Sequence, residues 1–254
     1  MELDGRVAIV TGASRGIGKA LAVGLAERGA SVVCAARTFD EQPDGLPGSV
    51  AATAAAITAS GGRALPVRCD VGVERDLDGL VDAAMREYGR VDVLVNNAMA
   101  PTRGAFDDTT VEMWDDSMRT NVRSLFLLAK LVVPHMAANG GGSIINVSSG
   151  GADHAATAAM PPGFVTYVVA KAAMERFTTA LAPEVADRGV TVNALRPGAV
   201  KTELATLQLG EDFDWSGWSA PEAVVPAVVF LAEQIGTQFT GRIVDSTQFG
   251  RTWP

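Results

Sequence analysis

Residues 6–29 read RVAIVTGASRGIGKALAVGLAERG, and the fold class follows from this stretch. The run RVAIV is typical of a buried strand, and IGKALAVGLAERG has the apolar spacing of a helix. Gly12, Gly16 and Gly18 lie in the turn between them. Glycine permits a tight turn and lets backbone N–H groups approach a phosphate, which the N-terminus of a helix attracts. The stretch therefore predicts a phosphate-binding βα unit, and a merely tight βα turn is the simpler alternative.

The same alternation of strand and helix continues along the chain. Val/Ile-rich runs predict strands within residues 6–12, 30–36, 64–71, 91–98, 143–149, 190–198 and 241–247. Helical spacing predicts helices within residues 17–29, 50–62, 75–89, 112–136, 164–189 and 221–234. The pattern predicts an α/β fold with a parallel, doubly wound sheet covered by helices on both faces.

We expect residues 1–254 to form a single domain, because the composition nowhere shifts toward that of a linker. Two long loops, residues 150–163 and 203–220, follow the carboxyl ends of strands. Ligands bind at those ends in open α/β sheets, so these loops are predicted to cover the substrate.

Composition excludes several classes of protein. Lys plus Arg number 21 and Asp plus Glu number 29, and the net charge of 21 − 29 = −8 argues against a nucleic-acid-binding protein. No run approaches the ~20 apolar residues of a membrane span, and the N-terminus shows no targeting segment, so the expected location is cytoplasmic. Cys34 and Cys69 are expected to be buried free thiols, and no cluster of residues predicts a metal.

Tyr167 and Lys171 lie four residues apart in TYVVAKAAMERF. On a helix they share a face, and an ammonium beside a phenol favours the phenolate, which lowers the phenol pKa. The pair therefore predicts a proton donor or acceptor that works near neutral pH.

The end of the second predicted strand indicates the cofactor. Folds that prefer NAD usually place an acidic residue there for the ribose 2′-hydroxyl, but this strand ends Cys34-Ala-Ala-Arg37. Arg37 and Arg15 could hold a 2′-phosphate through charge-assisted hydrogen bonds, so NADP(H) is predicted over NAD(H). Two solvated surface arginines are the alternative.

The chain resembles the short-chain dehydrogenase/reductase family over nearly its whole length. The motifs that carry the resemblance are Thr11-Gly-x-x-x-Gly-x-Gly18, Asn96-Asn-Ala98, Asn121, Ser149, Tyr167-x-x-x-Lys171 and Pro197-Gly198. The resemblance implies one Rossmann-type domain with a seven-stranded sheet of order 3-2-1-4-5-6-7. It also implies a homotetramer or homodimer, paired through the helices near 112–136 and 164–188.

The resemblance also implies roles for individual residues. Those expected to hold the cofactor are Gly12, Ser14, Arg15, Gly16, Ile17, Gly18, Arg37, Asp70, Val71, Asn97, Ala98, Tyr167, Lys171, Pro197, Gly198, Val200 and Thr202. Asp70 would contact adenine, and Thr202 would reach the nicotinamide carboxamide. Asp70 and Thr202 could instead be helix caps, and Asn96 and Asn97 could be ordinary turn residues.

The implied catalytic residues are Asn121, Ser149, Tyr167 and Lys171. Tyr167 would exchange a proton with the substrate oxygen while Lys171 lowers its pKa and binds the ribose. Ser149 would donate a hydrogen bond to the same oxygen, and Asn121 would support a water that links Lys171 to solvent. Ser148 is adjacent to Ser149, and strand alternation predicts that the two hydroxyls point to opposite sides.

The loops predict an apolar substrate. The expected substrate residues are Met99, Met160, Phe164, Trp215 and Trp218. We therefore expect an NADP(H)-dependent carbonyl reductase or alcohol dehydrogenase for hydrophobic, mostly uncharged ketones or secondary alcohols. A 3-oxoacyl reductase and a non-catalytic NADP(H)-binding regulator or scaffold are the alternatives, and the tryptophans could merely pin their loop to the core. Acidic loop residues near 211–214 disfavour phosphate-bearing acyl carriers.

Overall fold

The strands of the protein lie where the apolar runs predict them. The computed structural model describes residues 2–42, 45–100, 104–154 and 162–254. The strands are β1 Val7–Thr11, β2 Ser31–Ala36, β3 Arg63–Arg68, β4 Val93–Asn96, β5 Gly142–Val147, β6 Val190–Arg196 and β7 Ile243–Asp245. β1, β4 and β5 are buried along their whole length, as expected for central strands that helices cover on both faces.

All seven strands pair in parallel in one sheet of order β3-β2-β1-β4-β5-β6-β7, so the predicted fold class and strand order are confirmed. The chain proceeds outward from β1 to β3 on one side and then returns to β4 on the other side of β1. At this reversal the connections after β1 and β4 leave in opposite directions, which opens a crevice at the carboxyl ends of the strands.

Helices cover both faces of the sheet. They are α1 Gly16–Glu27, α2 Val50–Ala59, α3 Glu74–Tyr88, α4 Val111–Met118, α5 Ser124–Ala138, α6 Val165–Val185, α7 Glu203–Leu209 and α8 Val225–Glu233. One buried cluster joins α1, α2 and α8 to strand residues such as Ala8 and Val10. A second joins α3, α5 and α6 to Val7 and Ile9. Alternate residues of a strand therefore supply two separate cores.

The prediction of one uninterrupted helix over 112–136 is wrong in its middle. Residues Arg119–Arg123 form a π-helical turn between α4 and α5. A π turn inserts one residue into the helical ladder and often marks a functional site. The helical spacing of residues 112–136 continues through this turn and does not reveal it.

The segment 203–220 is only partly a loop. Its first half is α7, whose N-cap Thr202 accepts a hydrogen bond from Ala205 N at 3.2 Å. In the predicted loop 150–163, residues Gly150–Ala152 form a short 3₁₀ turn, and residues 155–161 lie outside the described part of the chain.

Cys34 and Cys69 are buried free thiols, as expected. Burial raises the pKa of each thiol to about 12, so neither forms a reactive thiolate near neutral pH. Among the described residues, none of the helices has the length and apolarity needed to cross a bilayer.

Candidate active site

The glycine turn after β1 leaves no room for side chains. Gly12 and Gly16 have φ values of +69° and +53°, which L residues rarely adopt. A Cβ on Gly18 would lie 2.1 Å from the Gly12 carbonyl oxygen. The Asn97 amide closes the turn from outside by donating to the carbonyls of Thr11 and Gly12 at 3.0 and 3.3 Å. The turn therefore brings backbone, rather than side chains, to the start of α1.

A cleft of about 420 Å³ opens above this turn at the carboxyl ends of the strands. The structure brings most of the predicted site residues to its wall: Gly12, Ser14, Arg15, Gly16, Ile17, Gly18, Arg37, Asp70, Val71, Asn97, Ala98, Met99, Ser149, Tyr167, Pro197, Gly198, Val200, Thr202 and Trp218. Residues that the sequence did not single out also line it, among them Leu46, Thr120 and Glu203. Segments far apart in the chain thus form one concave surface.

The Ser149 and Tyr167 side chains are hydrogen-bonded to each other at the floor of the cleft. Ser149 Oγ also accepts a hydrogen bond from Gly151 N at 3.1 Å. Ser148 Oγ instead donates to Glu175 Oε1 at 2.7 Å. Ser149 is therefore the hydroxyl beside the phenol, and that of Ser148 is committed to a buried carboxylate.

Lys171 is buried one helical turn after Tyr167. Its Nζ donates to the Val147 carbonyl at 2.6 Å and lies 5.9 Å from the centroid of the Tyr167 ring. Burial lowers the pKa of the Lys171 ammonium to about 8, and the negative charge of Glu175 opposes that lowering. The ammonium is still mostly protonated at neutral pH, and it has two further N–H donors.

The expectation that Lys171 lowers the pKa of Tyr167 is contradicted. Burial raises the pKa of the Tyr167 phenol, and the hydrogen bond with Ser149 offsets part of that rise. The physical reason is that the buried phenol would lose hydration on ionising, and this loss outweighs the hydrogen bond with Ser149. At neutral pH the group is therefore a phenol, which is the form that donates a proton.

Asn121 lies in the π turn and is fully buried. Its Oδ1 accepts a hydrogen bond from Ala100 N at 3.0 Å, and its Nδ2 donates to Ser117 Oγ at 3.2 Å. The side chain therefore fixes the chain directly after Met99, and it does not line the cleft.

The two arginines predicted for a 2′-phosphate differ in their surroundings. Arg15 donates from Nε to the Pro47 carbonyl and from Nη2 to the carbonyls of Leu46 and Gly48, each at 2.8 Å. It therefore anchors the segment before α2. Arg37 is exposed at the cleft wall and leaves its guanidinium open to solvent.

The structure shows which of Asp70 and Thr202 is a helix cap. The N-cap of α3 is Val73, so Asp70 is not a helix cap; Asp70 Oδ1 accepts a hydrogen bond from Gly72 N at 2.9 Å. Thr202 both caps α7 and lines the cleft. The Glu203 carboxylate lies beside the glycine turn, because a Cβ on Gly16 would be 3.5 Å from Glu203 Oε2.

The expected substrate residues that the structure describes form three groups. Met99 and Trp218 line the cleft. Phe164 is not part of its wall but contacts the Tyr167 ring edge-on at 6.2 Å. Trp215 packs on Trp218 at 5.1 Å, with Lys201 Nζ 4.8 Å above its ring, so it stabilises the loop and does not line the cleft. Met160 lies outside the described residues.

Sequence reasoning missed Glu175 and Arg196, which lie directly behind the Ser149–Tyr167 pair. Arg196 donates to both Glu175 oxygens at 2.8 Å. The available signals were a glutamate one helical turn after Lys171 and an arginine at the end of a buried strand.

Comparison with known proteins gives the same assignment over most of the chain. Residues 6–210 match the family model described as short chain dehydrogenase. A 3-oxoacyl-acyl-carrier-protein reductase of Vibrio cholerae is 37% identical, over 95% of this chain and 95% of its own length.

Two solved structures are similar over 96% of this chain. A 7α-hydroxysteroid dehydrogenase complexed with NADH and 7-oxo glycochenodeoxycholic acid gives a TM-score of 0.86 at 30% identity, over 93% of its chain. A proposed NAD(P)-dependent gluconate 5-dehydrogenase of Beutenbergia cavernae, with NADP bound at low occupancy, gives 0.83 at 30% identity, over 96% of its chain.

Proposed function

Since this chain belongs to the short-chain dehydrogenase family, whose members act on CH–OH and C=O groups, we propose that it transfers a hydride between NADP(H) and a hydrophobic, mostly uncharged ketone or secondary alcohol. The observation that carries the proposal is the hydrogen-bonded Ser149–Tyr167 pair, which faces the same cleft as the glycine turn. Proton transfer and dinucleotide binding thus share one surface.

The residues at the turn fit a dinucleotide. α1 begins without a side-chain cap and has no acidic residue in its first turn, so its N–H donors are open to a pyrophosphate. Thr202, which lines the cleft, would reach the carboxamide of the nicotinamide. Lys171 is buried and does not line the cleft, and an N–H group that its bond to Val147 leaves over would donate to a ribose hydroxyl. When bound, the nicotinamide supplies or accepts the hydride.

The roles of the side chains follow from their protonation. In reduction, the carbonyl oxygen gains negative charge, the Ser149 hydroxyl donates a hydrogen bond to it, and the Tyr167 phenol donates the proton. Lys171 holds positive charge beneath the Tyr167 ring and stabilises the phenolate that remains. Asn121 fixes the backbone after Met99, which shapes the adjoining wall of the cleft.

The rate of carbonyl reduction is expected to fall as pH rises through about 8. The pKa of Lys171 lies below that of a free lysine because of burial, so the ammonium is present at neutral pH and is lost above its pKa. Alcohol oxidation needs the phenolate, so its rate is expected to rise with pH. Initial rates in both directions across a pH series check this, and a reduction rate that stays level through that range would contradict it.

NADP(H) preference is supported by Arg37, which is exposed at the cleft wall, and by the absence of an acidic residue at the end of β2. The solved relative with NADP bound is compatible with that choice, while the 7α-hydroxysteroid dehydrogenase was solved with NADH. Arg15 contributes indirectly, because it positions Leu46 at the edge of the same cleft.

Arg37→Ala is expected to weaken NADPH binding by about 10- to 100-fold and NADH binding by much less, since a charge-assisted hydrogen bond contributes ~1.5–3 kcal/mol. Fluorescence titration with each cofactor measures this. The matched control is Arg86→Ala, which changes an exposed arginine in the last turn of α3 that does not line the cleft. Equal weakening for both cofactors would refute the 2′-phosphate role.

The substrate class is supported by Met99 and Trp218 on the wall of the cleft and by the exposed acidic residues Glu211, Asp212 and Asp214 on the loop beside it. Lys201, a cation of this region, lies over the Trp215 ring. The reductase relative of Vibrio cholerae favours the second candidate, a 3-oxoacyl thioester.

A panel of apolar ketones and one 3-oxoacyl thioester, assayed by loss of NADPH absorbance, tests the function. Turnover of the ketones supports the proposal, and faster turnover of the thioester selects the second candidate. If NADPH binds and no compound is reduced, the chain is a cofactor-binding regulator or scaffold.

We further propose a homotetramer or homodimer in the cytoplasm, with residues 1–254 as a single domain. Phe126 of α5 is 50% exposed, and Val165 and Val169 of α6 are 41% exposed, so the predicted pairing helices carry apolar groups on their outer faces. A monomer in light scattering at micromolar concentration would remove the assembly.

A further inference from the structure

A partly buried ion pair, Glu175–Arg196, lies next to the Ser149–Tyr167 pair but does not line the cleft. Glu175 Oε1 accepts hydrogen bonds from Ser148 Oγ at 2.7 Å and from Arg196 Nε at 2.8 Å. Glu175 Oε2 accepts from Arg196 Nη2 at 2.8 Å. Arg196 Nη1 donates to Asp153 Oδ2 at 2.7 Å. One bidentate pair therefore joins α6, the ends of β5 and β6, and the start of the following loop.

Ser148 and Asp153, which bond to opposite members of the ion pair, lie on either side of Ser149 in the chain. Ser148 precedes it directly, and Asp153 follows it after the short 3₁₀ turn Gly150–Ala152. Ser149 itself bonds to Gly151 N and to the Tyr167 phenol. The residues on both sides of Ser149 are thus hydrogen-bonded to the Glu175–Arg196 pair. Ser148 bonds to Glu175, and Asp153 bonds to Arg196.

The geometry points to Arg196 and Glu175 as positioning residues that hold the Ser149 hydroxyl against Tyr167, an inference that rests on the proposed function. The planar guanidinium is required because it binds both oxygens of Glu175 and, with its remaining edge, Asp153. An ammonium cannot meet these three acceptors in one plane. A misplacement of about 1 Å at a reacting group can lower a rate about 100-fold.

A test of this positioning role has to keep the charges of Glu175 and Arg196 unchanged, because other groups respond to them. Glu175 faces Arg196 of β6 and Ser148 after β5, and Lys171 lies one turn earlier on its own helix. The negative charge of Glu175 opposes the lowering of the Lys171 pKa by burial. Removal of either charge would therefore alter Lys171 as well as Ser149, whereas Arg196→Lys keeps the charge and changes only the geometry.

Arg196→Lys is expected to lower kcat for ketone reduction about 10- to 100-fold, with NADPH affinity within about threefold of the wild-type value. The loosened Ser149–Tyr167 hydrogen bond is also expected to raise the phenol pKa, because that bond lowers it in the wild-type protein. The chain has two tyrosines, so Tyr88→Phe leaves Tyr167 as the only phenol. In that background, tyrosinate absorbance after rapid pH jumps reports Tyr167 alone.

The matched control is Arg90→Lys. Arg90 also binds one carboxylate through two nitrogens, with Nε and Nη2 at 2.8 and 2.6 Å from the Asp92 oxygens, but directly before the amino end of the central strand β4. Arg90→Lys is expected to lower stability without a change in kcat or in the Tyr167 titration. If the two variants affect kcat and the titration equally, or if Arg196→Lys alters neither, the positioning role is overturned.

Ser148→Ala provides a second variant if Arg196→Lys does not fold. It removes one hydrogen bond and no charge, and a smaller rise in the phenol pKa is expected; an unchanged titration overturns the proposal. Since the titration needs no turnover, it decides this inference even if the wild-type protein reduces no compound in the panel, a result that would reject the proposed function.

Discussion

Tyr167→Phe is expected to lower kcat for ketone reduction by about 100- to 10,000-fold, the range for loss of a general acid. The substitution removes one oxygen and keeps the ring, so the edge-on contact with Phe164 and the Lys171 ammonium at 5.9 Å can persist. NADPH binding should therefore change little. Turnover is measured by loss of NADPH absorbance, and binding by fluorescence titration of the same preparation.

The chain provides its own control for this substitution. Tyr88, the other tyrosine, ends α3 with Arg63 5.1 Å above its ring, and it lies at the far edge of the sheet. Tyr88→Phe is expected to leave kcat unchanged. If Tyr167→Phe keeps more than about a tenth of the wild-type kcat, another group supplies the proton and the proposed mechanism is wrong.

The strands and the glycine turn could be predicted because they depend on short-range patterns, whereas the strand order was implied by the family resemblance. Buried parallel strands show in the sequence as apolar runs, and the turn shows as glycines at fixed spacing. The π turn around Asn121 has no such signature in the residue types or spacing of residues 112–136. Helix α7 was missed although Thr202 is a typical N-cap, because the whole segment 203–220 was interpreted as one loop after the sixth strand.

The errors in the site arise from long-range packing. The direction of the Tyr167 pKa shift depends on burial of the phenol, which the four-residue spacing to Lys171 does not reveal. The pair Glu175–Arg196 joins residues 21 positions apart. Arg15 was predicted to bind phosphate, but its guanidinium meets three carbonyls of a segment more than 30 residues away. These partners become neighbours only when the sheet is assembled.

Gly18→Ala is expected to weaken NADPH binding at least about 100-fold and to destabilise the protein by about 1–3 kcal/mol or more. The added Cβ would lie 2.1 Å from the Gly12 carbonyl oxygen and 2.4 Å from Asn97 Nδ2, so the backbone of the turn must move. The displaced turn no longer presents the first N–H groups of α1 to a pyrophosphate. Fluorescence titration and thermal unfolding measure the two effects.

Gly79→Ala is the matched control, because it adds the same methyl group at a position with free space around it. Gly79 lies within α3, and beyond its own helix no atom of the described residues comes within 4 Å of the position that an added methyl group would take. Alanine is favoured over glycine inside a helix by about 1 kcal/mol, so this variant should be slightly more stable and bind NADPH normally. The two variants therefore separate the effect of a methyl group from the effect of its location. If Gly18→Ala binds NADPH as well as Gly79→Ala does, the turn tolerates a side chain and cannot be the surface that approaches the phosphates.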